Sequence, residues 1–485
     1  MSKIYLDWNP EQPSFFPASP QDWLPVDHLA YHFRDVVSEL DIRAIENKKS
    51  YETRGAAGFH PRMIVSILMY AWSNKIHSSR QIAKLCIYDL GGRYLAARHK
   101  PDFRVISRFQ LLHGDELAEL FVQSVRLCQS AGMVSLAQVA IDGTKLEANA
   151  SKHKAMSYGR IVASEAQLKD EIAKILKHGR EEDAYEDSLF GADNLGFDIP
   201  AELALRENRL KRLRTSREEL EAEAKAAAKA TEAERAAKEK EAGKPLRGRK
   251  PKPQDEGKPS DKAQRNFTDP ESRIMKAGSG FIQGYNAQAA VDGDRQVIVA
   301  CDLTSQAADA PHLPSMLQQV AQNTGATPAQ TLADAGYFSK ENVRAATSSP
   351  LSEVYIPPDR MRHGSGRSKK QAPEATVPDE ALSPSDLMRR RLSTPAGHEA
   401  YRQRKKIVEP VFGQIKGCPG SPGMCHVLRR GLKKACQEWQ WCCTTHNIMK
   451  YIRFQIAQKA PPPLKKKKSI EPRGACAFQT VPMTI

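Results

Sequence analysis

Long apolar runs are missing from this chain of 485 residues. The longest, at 63–72, is far shorter than the ~20 residues of a membrane-spanning helix, and the mean hydropathy is −0.55. We therefore predict a buried helix there and no membrane partner. No apolar segment follows the charges of residues 1–8, so we expect no secretory signal and a cytoplasmic protein.

Two other patterns are also missing. The nine cysteines are irregularly spaced and form no disulfide framework, which favours a reducing compartment. The paired spacing of a zinc site is not found among Cys418, Cys425, His426, Cys442, Cys443 and His446. The sequence has no glycine-rich loop that would cradle phosphates, so we expect no ATP.

Positive charge is what the chain has in excess. It carries 73 Lys and Arg against 57 Asp and Glu, a net charge of +16. Such a surplus favours a polyanionic partner, because basic side chains neutralise phosphates and release their counterions. Nucleic acid is therefore the first partner that we expect.

Residues 1–130 are predicted to form an all-helical domain. Apolar residues recur at helical spacing, and two short helices are predicted after Ser78 and from Pro101. They carry Arg80 on the first and Arg104 and Arg108 on the second, as in a helix-turn-helix-like DNA reader. An amphipathic bundle with a solvated basic face remains the alternative.

Strand patterns begin near residue 134. The apolar run at 136–141 predicts a buried strand that ends at a turn formed by residues 142–144. A hairpin follows over 281–301, then a helix at 310–320, a strand at 331–334, a helix at 339–347 and a strand at 354–356. This order predicts an α/β fold with a ribonuclease-H-like mixed sheet flanked by helices, built from residues 131–151 and 266–455.

Two charged segments lie outside that pattern. Residues 152–265 are rich in Ala, Glu and Lys and then in Pro and Lys, which predicts a charged helical insertion without a core, followed by a flexible linker. Residues 456–485 include four consecutive lysines at 465–468 and predict a disordered basic tail.

Two acidic residues, Asp142 and Asp334, each close a predicted strand. Cutting a phosphodiester calls for two Mg²⁺ ions about 4 Å apart, held by hard oxygen ligands. If the two strands are neighbours, both carboxylates lie at one edge of the sheet, and Glu409 is on a helix able to cover that edge. Taken singly, an Asp before Gly is more often a turn former and a helical Glu a surface charge. Composition does not rank these residues above Glu147, Asp292, Asp302, Asp309 and Asp359.

The order of several motifs resembles that of bacterial insertion-sequence transposases of the DDE class, especially the branch numbered eleven-eighty-two. The resemblance covers residues 15–455 and rests on SRQI at 79–82, PDF at 101–103, IDGTK at 141–145, NFTDPESR at 266–273, GYNAQ at 284–288, ADAGY at 333–337 and VEPVFGQIK at 408–416. It implies that Asp142, Asp334 and Glu409 are catalytic and bind two Mg²⁺ ions, for which Mn²⁺ can substitute. It also implies that the helical domain binds transposon DNA.

The family's helix signature of Tyr, Arg, Glu and Lys resembles Tyr401, Arg404, Glu409 and Lys416. Four residues separate Arg404 from Glu409 instead of the usual three, so Lys405 is an alternative for the basic position. These side chains would hold DNA phosphates near the metal ions. A basic helix face without specific contacts is the other interpretation.

The resemblance implies a transposase that binds the terminal repeats of an insertion sequence, cleaves at its ends and joins the 3′-hydroxyls to target DNA. A homodimer or larger assembly on double-stranded DNA is expected, because two ends must be paired. Two alternatives remain open: a transposase-derived DNA-binding protein without catalysis, and a metal-dependent nuclease that cuts without joining.

Overall fold

The computed structural model describes residues 7–9, 11–12, 20–48, 58–190, 201–242, 258–278, 280–347, 353–359, 382–417 and 423–459. Cys418, most of the predicted linker and the predicted tail from residue 460 onward lie outside these ranges. Within them, no helix is both long and apolar enough to cross a membrane.

Among the described residues before 131, the secondary-structure elements are all helices, joined by loops. They are α1 (Pro20–Trp23), α2 (Leu29–Glu39), α3 (Arg43–Asn47), α4 (Pro61–Ser73), α5 (Ser79–Tyr88), α6 (Leu90–Leu95), α7 (Phe103–Leu112) and α8 (Gly114–Ser130). The predicted buried helix is confirmed as α4, whose first residue is Pro61 and whose N-cap His60 accepts a hydrogen bond from the Arg62 N–H. The Asp102 side chain caps α7 in the same way.

The strands are β1 (Gln138–Glu147), β2 (Ala155–Ser157), β3 (Gln264–Asn266), β4 (Arg273–Ala277), β5 (Gly280–Asp292), β6 (Ile298–Thr304), β7 (Gln330–Ala333) and β8 (Glu353–Tyr355). β1 is antiparallel to β5 on one edge and parallel to β7 on the other, and β8 continues the sheet parallel to β7. β4 and β6 both pair with the outer edge of β5, and β2 pairs with β3 in a separate ribbon. The mixed sheet and the β5–β6 hairpin are as predicted.

One strand boundary was predicted wrongly. β1 does not end at Asp142 but continues through Gly143 and Thr144 to Glu147. The parallel pairing with β7 stops at Ile141, whereas β5 supplies antiparallel backbone partners as far as Glu147. Asp142 therefore lies within a strand, at the point where one of its two neighbours ends.

The insertion has two long helices, α9 (Tyr158–Phe190) and α10 (Ala201–Ala242), which pack against each other. The prediction that it lacks a core was wrong: Ile161, Leu168, Leu210, Leu213 and Leu220 are buried together. These residues recur at helical spacing in a charged background, so each helix has one narrow apolar stripe.

The described residues after the hairpin include the helices α11 (Leu313–Thr324), α12 (Lys340–Thr347), α13 (Pro384–Ser393), α14 (Pro395–Lys416) and α15 (Leu432–Lys459). Short 3₁₀ turns lie at Lys152–Lys154, Ala310–His312 and Ala335–Tyr337. α14 contacts β1, β5, β7 and β8, whereas α15 contacts β6 and α8. Because buried residues of α4, α8 and α15 belong to the same apolar core as the sheet, the N-terminal helices are packed firmly onto the α/β part.

Candidate active site

Asp142 and Asp334 are brought together by strand register. The last paired residues of β1 and β7 are Ile141 and Ala333, and the next residue on each chain is an aspartate. Adjacent strands are about 4.8 Å apart, so the two carboxylates share one edge of the sheet. Asp334 is fixed further, because its Oδ1 accepts a 2.8 Å hydrogen bond from the Gly336 N–H and caps the 3₁₀ turn.

The carboxyl group of Asp142 has a raised pKa. Burial raises the pKa of Asp142 to about 6, the nearby charge of Asp334 raises it as well, and the guanidinium of Arg404 opposes both effects. Its side chain is only 20% exposed. Asp142 is therefore closer to protonation at neutral pH than an exposed aspartate is.

The positive partner of Asp142 comes from α14. Arg404 Nη1 donates to Asp142 Oδ2 at 2.8 Å, and the residue is only 8% exposed. Its guanidinium lies 5.9 Å from the ring centroid of Tyr401, one turn earlier on the helix. The Nε of Arg404 has no hydrogen-bond partner within the described part of the chain. Arg404 thus faces the carboxylate pair, and a contact with DNA phosphate remains a prediction.

Among the described residues, the other predicted residues of α14 make no hydrogen bond or ion pair with either aspartate. Glu409 and Lys405 are exposed, and Lys416 Nζ donates to the Lys145 carbonyl at 3.1 Å. Among the described residues no three His, Cys, Asp or Glu side chains are grouped as metal ligands. Asp142 and Asp334 are thus together, while the catalytic role of Glu409 remains a prediction.

A further carboxylate, Asp309, was among the competitors that composition did not rank. Its Oδ1 accepts hydrogen bonds from Asn286 Nδ2 at 2.7 Å, Gln288 Nε2 at 2.9 Å and Lys145 Nζ at 3.4 Å. Gln288 Oε1 in turn accepts a hydrogen bond from the Tyr337 hydroxyl. Residues two apart on a strand share a face, so the two polar residues of the GYNAQ motif were a usable signal for this network.

Two glycines of the motifs leave room for these side chains. A Cβ on Gly143 would come within 2.6 Å of Gln288 Nε2 and 3.0 Å of Asp309 Oδ1. A Cβ on Gly336 would be 3.0 Å from Asp334 Oδ1 and 3.1 Å from Asp309 Oδ2. The carboxylates are therefore held by close packing as well as by hydrogen bonds.

The donor chemistry of this edge fits a hard cation. Mg²⁺ takes one or two protein carboxylates and keeps several waters, so Asp142 and Asp334 suffice as its protein ligands. A neutral oxygen is also present: Asn286 Oδ1 is buried without a partner, while its amide nitrogen donates to Asp309 and to the Gln306 carbonyl. The residues present are consistent with a magnesium site.

The three arginines predicted in the helical domain lie on a separate surface. Arg80, Arg104 and Arg108 are exposed, and together with Phe103 and Ser107 they line one shallow groove between α5 and α7. The guanidinium carbons of Arg80 and Arg104 lie 5.1 and 5.5 Å from the Phe103 ring centroid. α6 intervenes in the chain between the two helices, which had been predicted as consecutive.

We predict that Gly336→Ala lowers the free energy of unfolding by about 1 kcal/mol, because the new methyl group pushes on Asp334 and Asp309. Gly413→Ala is the matched control: nothing lies within 4 Å of that Cβ position on α14, and alanine favours a helix over glycine. Chemical denaturation of both variants checks this. Equal stability of Gly336→Ala and the wild type would contradict the packing described.

Comparison with known families gives two matches. Residues 18–111 match a family described as Transposase domain (DUF772), and residues 243–447 match the Transposase DDE domain. The first range includes Arg80, Arg104 and Arg108, and the second includes Asp334 and Glu409; Asp142 precedes the second. Comparison with curated proteins and with solved structures gives no match. With both a transposase domain and a DDE domain in one chain, this protein belongs to the DDE transposases.

Proposed function

We propose that this transposase binds the terminal repeats of an insertion sequence, cleaves the DNA at its ends and joins the 3′-hydroxyls to target DNA. The observation that carries the proposal is the half-buried Asp142–Asp334 pair at one edge of a ribonuclease-H-like sheet. It would act in the cytoplasm, at the nucleoid.

Asp142, Asp334 and Glu409 would hold two Mg²⁺ ions, with Mn²⁺ as a substitute. When bound, such ions activate the attacking oxygen and stabilise the leaving oxygen of the phosphodiester. Glu409 shares one side of α14 with Lys405 and Lys416, since residues four and seven apart lie on one helix face. That spacing supports a common surface for the third carboxylate and the cations that would contact DNA phosphates.

Arg404 and Tyr401 would act on the same edge. The guanidinium favours the ionised form of Asp142, because it partly offsets the burial and the charge of Asp334, which raise the pKa of this carboxyl. Its partnerless Nε leaves donor capacity for a phosphate once the ion pair opens. Tyr401, packed beside Arg404, would orient the guanidinium in either arrangement.

DNA would also be bound by the groove between α5 and α7. Arg80 and Arg104 lie over the Phe103 ring and Arg108 lines the same groove, which provides charge together with a flat surface. Because two transposon ends must be brought together, we propose a homodimer or larger assembly on the DNA.

A DNA-binding protein without catalysis is the second candidate. The observation that favours it is that Glu409 is exposed and that no third carboxylate is grouped with the aspartate pair among the described residues. Such a protein would bind the ends and leave them uncut with either Mg²⁺ or Mn²⁺.

Substitution of the three carboxylates separates these candidates. We expect Asp142→Asn, Asp334→Asn and Glu409→Gln each to abolish Mg²⁺-dependent cleavage of a duplex that carries the element's ends, because each removes a charged oxygen ligand. Products are resolved on a denaturing gel, where strand transfer gives joined species that a simple nuclease does not form.

Two matched controls accompany these variants. Asp302→Asn removes a charge from β6, and Glu399→Gln removes an exposed charge from α14; both should cleave normally. Wild-type protein that binds the ends but never cuts them would refute catalysis.

The pH profile tests the role of Arg404. If Asp142 must be ionised to take up the metal ion, the cleavage rate at limiting Mg²⁺ rises as pH increases through about 6, the pKa of this carboxyl without bound metal. Arg404→Met removes the charge that lowers this pKa, so the acidic limb should move to higher pH. Arg404→Lys keeps the charge and should move it less.

Arg402→Met is the control for this series, because Arg402 is exposed on the same helix. Initial cleavage rates at constant ionic strength give the profiles. An unshifted limb in Arg404→Met would show that the ion pair does not govern the ionisation.

The groove between α5 and α7 is tested by binding alone. We expect a variant with both Arg80→Ala and Arg104→Ala to bind end DNA less tightly and to reduce the slope of log affinity against log salt by about 2, since each lost phosphate contact removes about 0.9. Fluorescence anisotropy across a salt series measures both quantities. Arg126→Ala, an exposed charge on α8, should leave the slope unchanged, and an unchanged slope in the double variant would place the DNA elsewhere.

A further inference from the structure

A cleft of about 170 Å³ lies between α4, α14 and α15, away from the aspartate pair. Three cations line it from two sides, Lys75 after α4 and Lys450 and Arg453 on α15, together with the imidazoles of His77 and His446. No Asp or Glu is among the lining residues. The cleft is thus a concentrated positive region at the seam between the N-terminal helices and the α/β part.

The lysines of this cleft have only neutral partners. Lys75 Nζ donates to the Gln414 carbonyl on α14, and Lys450 Nζ donates to Gln296 Oε1 at 2.9 Å. Across the described ranges, no carboxylate pairs with Lys75, Lys450 or Arg453. Lys75 and Lys450 are half-buried. Half-buried cations without a counter-charge cost free energy, so a stable protein that retains these two lysines suggests a negative ligand.

Titration behaviour points the same way. Burial, followed by the charges of Lys450, Lys75 and Arg453, lowers the pKa of His446 to about 3. Burial and the charge of Arg453 lower the pKa of Lys450. These groups repel one another, and an anion in the cleft would relieve that repulsion.

The cleft is large enough for an anion. Its volume corresponds to several water molecules, which is enough for one tetrahedral oxyanion. Charge and size are both suited to a phosphate.

We propose that this cleft binds a phosphate group of the DNA backbone. The choice of DNA rests on the proposed function, although not on its cleavage step. Lys75 and His77 lead into α5, which carries Arg80, while Gln414 belongs to α14, which carries Arg404. The cleft therefore borders both the groove of the helical domain and the helix of the candidate active site. If a backbone phosphate bound in the cleft, the groove of the helical domain and the candidate active site would contact the same segment of DNA.

The test uses a full-length variant with Lys450→Met and Arg453→Met, in which the side-chain stems are largely kept. The matched control is Lys434→Met with Lys459→Met, two exposed charges on the same helix. Thermal unfolding is followed in phosphate and in chloride at equal ionic strength, because a ligand that binds the folded state raises Tm. Anisotropy across a salt series then measures binding of end DNA.

We expect phosphate to raise the Tm of the wild type and the control more than that of the cleft variant. The cleft variant should also lower the DNA salt slope by about 0.9, the value for one phosphate contact. Loss of the phosphate effect with an unchanged DNA slope would overturn the assignment to DNA and indicate a free oxyanion. An unchanged response in both assays would overturn the site altogether. If the wild type failed to bind DNA while phosphate still stabilised it, the proposed function would fall and the anion site would stand.

Discussion

Strand β1 is hydrogen-bonded on both edges, and this double pairing determines where the candidate active site lies. The parallel ladder with β7 brings Asp142 beside Asp334, and it ends there because β7 ends. The antiparallel ladder with β5 continues for six residues beyond Ile141 and holds Asp142 inside a strand instead of a loop. A slip of one residue on either side would turn Asp142 to the opposite face and separate the pair. The chemistry proposed for this protein thus requires the correct strand register of β1 with β5 and β7, because that register places the two aspartate side chains next to each other.

Placing two carboxylates side by side creates an electrostatic problem that the rest of the site addresses. Burial and mutual repulsion both favour the protonated form of Asp142, and Arg404 opposes them from α14. Asp309 accepts hydrogen bonds from Asn286, Gln288 and Lys145, and these contacts offset its negative charge. A third carboxylate such as Glu409 would add repulsion unless cations accompanied it. Its exposed position is consistent with that cost.

What the sequence predicted well was local. The apolar runs before Asp142 and Asp334 identified both strands, and alternation identified β5 and its hairpin partner. The prediction that β1 stops at Asp142 failed because Asp-Gly is a common turn pair, while the pairing with β5 that keeps it extended is invisible in one segment. The network around Asp309 joins four separate elements, so no single pattern could rank it among the acidic residues. The core of the insertion was missed for another reason: five apolar residues spread over two long charged helices barely alter the composition.

Two positive clusters on α14 and its neighbours differ in how their charge is balanced. Arg404 is buried against Asp142, so its cost of desolvation is offset within the protein. Lys75 and Lys450 have only amide and carbonyl partners, and part of their desolvation remains uncompensated. A protein selected for stability alone would gain by replacing either lysine with an apolar residue. α14 carries Arg404 and also supplies the Gln414 carbonyl that accepts a hydrogen bond from Lys75. An anion bound beside Lys75 and Lys450 would therefore act on the helix that holds Arg404. DNA that reached both clusters would therefore couple its own binding to the position of Arg404, and through Arg404 to the ionisation of Asp142.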